Sequence, residues 1–385
     1  MIFRDPDFDY IVSVRRELHR IPEVGFDLPK TLAVIKRELD ALGIPYTNKY
    51  GRSSLVGYLG REDAEKTVAL RADIDALPVA EETGLPFASC HEGKMHACGH
   101  DCHAAMLLGA AKMLKEVEDE LPCRVLLFFQ AAEEYAPGGA KLMAEDGVCE
   151  GVDAILACHV NMVMPLGTVA LNESVMSASS HGFFLDIYGK TSHVAQPHQG
   201  VDAIAIACRV YNDIQIMRSR ELPPLACAIV GVGEFHGGSA NNIICDHVHM
   251  HGTIRTHETA HDEYIYRRIG EIAKCLAEDA GGRAELVTTK HYPVLYNDPT
   301  VAREVAAAAR RALPDATVRT DINPSMGAED FSFFLQKVPG AYFRIGARDE
   351  GDENIPLHNC RFNPSEKALA YGPRIFFEYV MRGNY

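Results

Sequence analysis

Cysteine, histidine and glutamate recur in this chain at spacings that could hold divalent cations, and they gather in four places. The densest is Met95-His-Ala-Cys98-Gly-His100-Asp101-Cys-His103. Cys98 and His100 are two apart, so on extended backbone they point the same way, and a thiolate and an imidazole can meet one cation. Gly99 between them permits a tight bend. The second place is Gln130-Ala-Ala-Glu133-Glu134, directly after an apolar run. Adjacent carboxylates repel unless something positive separates them. On extended backbone they face opposite ways, so one Glu can hold a metal while its neighbour serves as acid and base. His159 follows the apolar run Ala154-Ile-Leu-Ala-Cys158, a setting in which a lone histidine is more often a core residue than a ligand. Leu357-His358-Asn359 follows an acidic loop and says little alone. As a set, one Cys, two or three His and one or two Glu could complete two neighbouring metal sites. Asp73 and Asp75 read either as carboxylates orienting a ligand histidine or as a strand end in water.

A frame must bring these stretches together. Residues 10–19 and 31–42 carry apolar side chains at helical spacing, and Gly43 stops the second helix. Residues 67–75 are extended, 101–117 helical, 123–129 a near-continuous apolar strand, 139–145 a short helix and 153–158 another strand. Strands alternating with helices predict an α/β fold with a mostly parallel sheet flanked by helices. In such sheets ligands gather beyond the strand ends, where the four places fall. The pattern changes near His181. Residues 183–188, 226–231, 247–254 and 284–290 read as strands, and 203–218 and 262–279 as helices. That is an inserted α+β domain of two helices and four strands at about 181–292. It interrupts a catalytic domain formed by 1–180 and 293–385. A helix at 301–313, short strand-like pieces and a last helix at 366–381 close the chain.

Composition narrows the functional classes. The 385 residues are 47% hydrophobic and 24% charged, ordinary for a globular protein and enough for more than one core. Lys and Arg number 38 against 53 Asp and Glu, a formal net charge of −15. Neither a nucleic acid nor an anionic membrane surface attracts that balance. No window approaches the roughly 18 apolar residues of a membrane span. The opening residues show no basic segment followed by an apolar stretch, so no secretory signal is expected. The 11 cysteines are odd in number and irregularly spaced, which reads as reduced thiols in a cytoplasmic protein.

Along essentially its whole length the chain resembles the amidohydrolase branch of peptidase family M20, the aminoacylase and hippurate-hydrolase-like enzymes. The resemblance rests on Arg15-Arg16-Glu-Leu-His19 with Pro22-Glu23, Leu70-Arg-Ala-Asp73-Ile-Asp75-Ala-Leu-Pro78 and Met95-His-Ala-Cys-Gly-His-Asp101. It continues through Gln130-Ala-Ala-Glu-Glu134, Gly138-Gly139-Ala140, His159, Gly252-Thr-Ile-Arg255, Gly327-Ala-Glu-Asp-Phe331 and Leu357-His358. It implies a di-metal exopeptidase-like catalytic domain with Cys98 bridging two ions. His100 and His159 would complete one site, Glu134 and His358 the other. Glu133 would be the general base, and Asp75 would stand behind the ligands. The insert resembles that family's lid and dimerisation domain, which implies a homodimer in which His193, in Gly189-Lys-Thr-Ser-His193, reaches a neighbouring subunit's site. Asn242 and Arg255 fall where the lid is expected to meet a substrate carboxylate. The departures lie in the lid: Cys245 stands where Pro is common, and His251 where Glu is usual.

The chemistry so implied is hydrolysis of the amide bond of a small N-acyl amino acid (acetyl, benzoyl or related), or of a dipeptide by the same means. Two cations sharing a thiolate acidify a water, Glu133 takes its proton, and His193 donates a hydrogen bond to the developing oxyanion. A thiolate suits Zn²⁺, while imidazole and carboxylate also accept Mn²⁺, Co²⁺ or Ni²⁺. Two rivals stand beside this reading. A thiol hydrolase with Cys98 as nucleophile and His100 or His103 as base leaves Glu134, His159 and His358 unused. A non-catalytic metal- or substrate-binding homologue leaves Glu133 unused.

Overall fold

The computed structural model describes residues 5–383. Met1–Arg4, the start of the stretch read above as lacking a secretory signal, lie outside the described residues. In chain order the elements are α1 (Asp5–Arg20), α2 (Pro29–Ala41), β1 (Tyr46–Thr47), β2 (Leu55–Leu59), β3 (Thr67–Asp73), α3 (His100–Lys115), β4 (Arg124–Gln130), α4 (Gly139–Glu145) and β5 (Ala154–Pro165). There follow β6 (Thr168–Ala170), β7 (Val175–Ser177), β8 (Ser180–Tyr188), α5 (Ala203–Arg220), β9 (Ala228–Gly237), β10 (His247–Thr256), α6 (Thr259–Asp279) and β11 (Arg283–Tyr292). The chain ends with β12 (Leu295–Tyr296), α7 (Pro299–Ala312), β13 (Thr317–Arg319), α8 (Ser332–Leu335), β14 (Gly340–Arg348) and α9 (Tyr371–Arg382). No described helix is long and apolar enough to cross a membrane.

Two compact units divide the chain. The second comprises Ser177–Leu295 with the short return Pro324–Glu329, and the first is the remainder.

The first unit is built on a sheet of order β1-β2-β4-β3-β5-β14-β6-β13. Its centre, β4-β3-β5-β14, is parallel throughout. Parallel strands covered on both faces should be apolar along their length, and Val68–Ala72 and Val125–Phe129 are buried without a break. Helix α3 packs against β3 and also against α1 and α9, so nearly all of it is buried. Its polar first turn therefore enters the core and must find partners there. Two expectations are corrected. β14, read only as short pieces, is a nine-residue strand in the middle of the sheet. The expected single helix over 366–381 is a 3₁₀ turn, Glu366–Ala370, followed by α9. Pro373 has no N–H and is tolerated only in a first turn, so the helix begins afresh just ahead of it.

The second unit is the expected two-helix, four-strand α+β arrangement, an antiparallel sheet of order β11-β8-β10-β9. Alternation along the strands sends Phe183, Leu185 and Ile187 of β8 and Val248, Met250 and Ile254 of β10 into one core. There they meet Ile206, Val210 and Ile214 of α5 and Ile265, Ile269 and Ala273 of α6. Asp202 caps α5, its side chain accepting from the backbone N–H groups of Ile204 and Ala205.

Candidate metal centre

The sequence places expected to bind metal converge: His159 from within β5, Glu133 and Glu134 just past β4, Cys98 and His100 at the start of α3, and His358 past β14. Gly99 precedes α3 with φ 88°, a left-handed conformation, and a Cβ there would stand 2.5 Å from Val160 Cγ2. Glycine alone fits. Cys98 and His100 therefore flank a turn, where extended backbone was expected, and still converge. The ligand atoms of Cys98, His100 and His159 lie within 4.8 Å of one another. So do those of Cys98, Glu134 and His358, and those of His100, Glu133 and Glu134. Cys98 belongs to two of these groups, which places its sulfur between two potential ion positions.

Hydrogen-bond partners decide which nitrogens are free to bind. His100 Nδ1 stands 2.9 Å from the Asp75 carbonyl oxygen and 3.2 Å from Asp75 Oδ1. A carbonyl oxygen only accepts, so Nδ1 carries the proton and Nε2 offers its lone pair. That Nε2 is buried without a hydrogen-bond partner. His159 Nδ1 likewise donates to the Val160 carbonyl at 2.6 Å, which turns its Nε2 toward Cys98 Sγ, 3.4 Å away. Donors sharing one tetrahedral ion sit about 3.5 Å apart. His159 lies inside β5, since the strand runs past the expected end at Cys158. His103 differs. Its Nε2 accepts the Val160 N–H at 3.0 Å and its Nδ1 donates to Asp73 Oδ1 at 2.5 Å, so both nitrogens are occupied.

Glu133 and Glu134 follow β4, and their backbone N–H groups donate to the two oxygens of Asp75 at 3.1 and 3.2 Å. Asp75 stands beyond the end of β3, two residues past Asp73. Glu133 is buried. Glu134 Oε1 is 2.9 Å from His358 Nε2 without hydrogen-bond geometry, as when two ligands face one point. His358 adopts φ 67°, and its N–H donates to the Ala97 carbonyl at 2.8 Å, tying its loop to the Cys98 turn.

The electrostatics favour a cation. Burial, then Glu134, Glu133 and Asp73, push the Cys98 thiol well above its ordinary range. Burial alone would lower His100, but Asp73, Asp75 and Glu134 lift it to about 10. The His100 shift reports an excess of negative charge in a buried space, the Cys98 shift reports burial first and that charge second, and a divalent ion would oppose both. The residues present therefore fit a metal.

Sequence reasoning missed the scaffold behind the site. Arg71, fully buried in β3, donates to Gln130 Oε1 (2.8 Å), Asp73 Oδ2 (2.8 Å) and Asp330 Oδ1 (3.0 Å). Gln130 Nε2 also donates to Asp330. On the other side, Asp101 Oδ2 takes Arg15 Nε at 2.9 Å and His19 Nδ1 at 2.8 Å. A cation inside the otherwise apolar stretch 68–72 was the available signal for the first network.

His193, Asn242 and Arg255 belong to the second unit. His193 pairs through its backbone with Ile243, and the Val194 N–H donates to the Asn242 carbonyl at 3.0 Å, so His193 and Asn242 are neighbours. Arg255 lies on β10 opposite Ile229, half-buried, and burial lowers its pKa.

Comparison with known proteins adds four likenesses. The sequence profile of peptidase family M20/M25/M40 matches residues 69–382. N-acetyl-L-cysteine deacetylase of Bacillus subtilis is 36% identical, covering 97% of this chain and 88% of its own. N-acetyldiaminopimelate deacetylase of Halalkalibacterium halodurans is 34% identical, covering 96% and 98%. The crystal structure of the YXEP protein of Bacillus subtilis, described as a dinuclear metal-binding peptidase, superposes with a TM-score of 0.84 at 30% identity, covering 98% of each chain.

Proposed function

The chain belongs to peptidase family M20/M25/M40, hydrolases of amide bonds, and we propose that its substrates are N-acyl amino acids. The observation that carries the proposal is a buried cysteine shared by two ligand groups, with the buried carboxylate of Glu133 beside them. The acetyl-amino-acid substrates named for two relatives support the substrate class.

We assign Cys98 to both ions, His100 and His159 to the first, and Glu134 and His358 to the second. Divalent ions bound there supply acidity to a water and polarise a carbonyl. Zn²⁺ suits the thiolate, and the remaining donors admit Mn²⁺, Co²⁺ or Ni²⁺. Glu133 is the general base: its carboxylate takes the proton from water and returns it to the departing amine. Asp75 holds the backbone of that base through its carboxylate and the tautomer of His100 through its backbone carbonyl and Oδ1, so one residue sets two geometries. Arg255 has no hydrogen-bond or ion-pair partner among the described residues, and with Asn242 it would take the substrate carboxylate. His193 would donate to the oxyanion in the active site of a second copy, within a homodimer formed through the second unit. All 11 cysteines are free thiols, which accords with a cytoplasmic location.

A dipeptide offers the same amide and carboxylate, and the peptidase description of the YXEP protein favours it as the second reading. Amine release from N-acetyl and N-benzoyl amino acids, set beside a series of dipeptides, separates the two. The N-acyl compounds should lead in kcat/KM by about tenfold or more, a difference of about 1.4 kcal/mol in transition-state binding. Dipeptides leading by that margin would overturn the assignment.

A further inference from the structure

The second unit carries a cluster of metal-binding side chains that the proposed reaction does not use. Its sheet has α5 and α6 on one face, and the alternate residues of each strand point away from them. On that open face β10 presents His247, His249 and His251 in succession. Register sets Tyr188 of β8 opposite His247 and Asp186 opposite His249. From β9, His236 stands opposite His249 and Glu234 opposite His251.

One oxygen, Asp186 Oδ1, lies 2.7 Å from His247 Nε2 and 3.0 Å from His249 Nδ1. Donors bound to one ion at about 2.0–2.2 Å are separated by about 2.8–3.5 Å, depending on coordination geometry. The His249 contact falls near the short end of that range and the His247 contact just below it, so an ion would part that pair slightly. The rings are held in place: Tyr188 stacks on His247 with centroids 4.9 Å apart, and Phe184 lies 5.1 Å from His249. The side chains remain 47%, 32% and 21% exposed for His247, His249 and Asp186, which leaves an entry path and room for water ligands.

We propose that His247, His249 and Asp186 form a surface site for a divalent transition-metal ion such as Zn²⁺ or Cu²⁺, using no residue of the Cys98 cluster. Two imidazoles and a carboxylate are borderline donors that these ions prefer over Ca²⁺ or Mg²⁺. A second histidine–carboxylate group in the same unit shows what the geometry must avoid. His181 and His291 both approach Asp262 Oδ2 at 3.0 Å, but their rings stack 24° from parallel with centroids 4.4 Å apart. Lone pairs in two nearly parallel, separated planes cannot meet at one ion, so that group is a hydrogen-bonded carboxylate.

The test is Zn²⁺ uptake by the full-length protein, measured by equilibrium dialysis and elemental analysis. The proteins compared are the wild type, the double variant His247→Gln/His249→Gln, Asp186→Asn, and the control His198→Gln, an exposed histidine elsewhere in the unit. Ions held around Cys98 are common to all and cancel in the difference. The double variant should hold one ion per chain fewer at the free Zn²⁺ that saturates the wild type. Asp186→Asn should need about tenfold or more free Zn²⁺, and His198→Gln should match the wild type. If the double variant does not fold, the shift in Asp186→Asn decides. Equal uptake by wild type and variants would overturn the site, leaving two imidazoles that merely donate to Asp186, and so would an equal loss in His198→Gln. Absence of metal at Cys98 would lower every curve alike and leave the difference intact, so failure of the functional proposal is read separately.

Discussion

Asp75 holds His100 through two atoms, its backbone carbonyl 2.9 Å and its Oδ1 3.2 Å from the same Nδ1. The imidazole is thereby fixed with its Nε2 lone pair facing the cluster. The same carboxylate accepts the backbone N–H groups of Glu133 and Glu134. Residues behind a metal ligand typically contribute 10–100-fold to metal affinity. Asp75→Ala should therefore weaken Zn²⁺ binding by about that factor in a chelator competition. Unchanged affinity would mean that the Asp75 carboxylate is dispensable and that its backbone carbonyl alone orients His100.

Glu133→Gln separates binding from turnover. The amide keeps the shape of the side chain and cannot accept the proton from water. Metal content should stay at the wild-type level while kcat falls by about 10²–10⁴. A variant that hydrolyses at near the wild-type rate would remove Glu133 as the base.

The Arg71 network is a stability element as well as a support. Its guanidinium and the Asp73 and Asp330 carboxylates are fully buried. Removing one partner leaves uncompensated buried charge, which costs about 3–5 kcal/mol. Arg71→Met should lose that much in chemical denaturation, and a loss within 1 kcal/mol would show the network to be dispensable.

The parts of the fold that were legible in the sequence are those with strong periodicity. Helices α3, α5 and α6 and strand β4 fall close to their expected ranges because each has one clear apolar pattern. β14 was obscured because Gly340, Arg344 and Gly346 interrupt its apolar run, and a strand inside a sheet needs tertiary neighbours to reveal it. Pro324–Glu329 returns to the second unit with no local pattern to announce it. At the site, the ligand types could be read from Cys98, Glu134 and His358. The exclusion of His103 could not, because it depends on the Val160 N–H and on Asp73, which approach from other strands. Arg71 and Asp330 are 259 positions apart, and only the folded chain joins them.

Asp262 gives the second unit an acid limit. Burial raises its carboxyl, but hydrogen bonds from His181 and His291 more than offset this and hold it at about 2. A folded-state pKa below the ordinary value of about 3.9 gives stability that is present above that value and lost as pH falls toward 2. The stability gap between wild type and Asp262→Asn should therefore be largest near neutrality and close between about pH 4 and 2. A gap that stays constant across that interval would show that the Asp262 carboxylate charge does not stabilise the fold.

The central claim is that ions held by Cys98, His100, His159, Glu134 and His358 are required for amide hydrolysis. The most direct measurement is amine release from an N-acetyl amino acid by protein stripped of metal, before and after adding Zn²⁺ or Mn²⁺. The account predicts that stripping abolishes activity, that added metal restores it, and that Glu133→Gln stays inactive under the same addition. Full activity in the stripped protein would contradict it and would turn attention to Cys98 as a nucleophile.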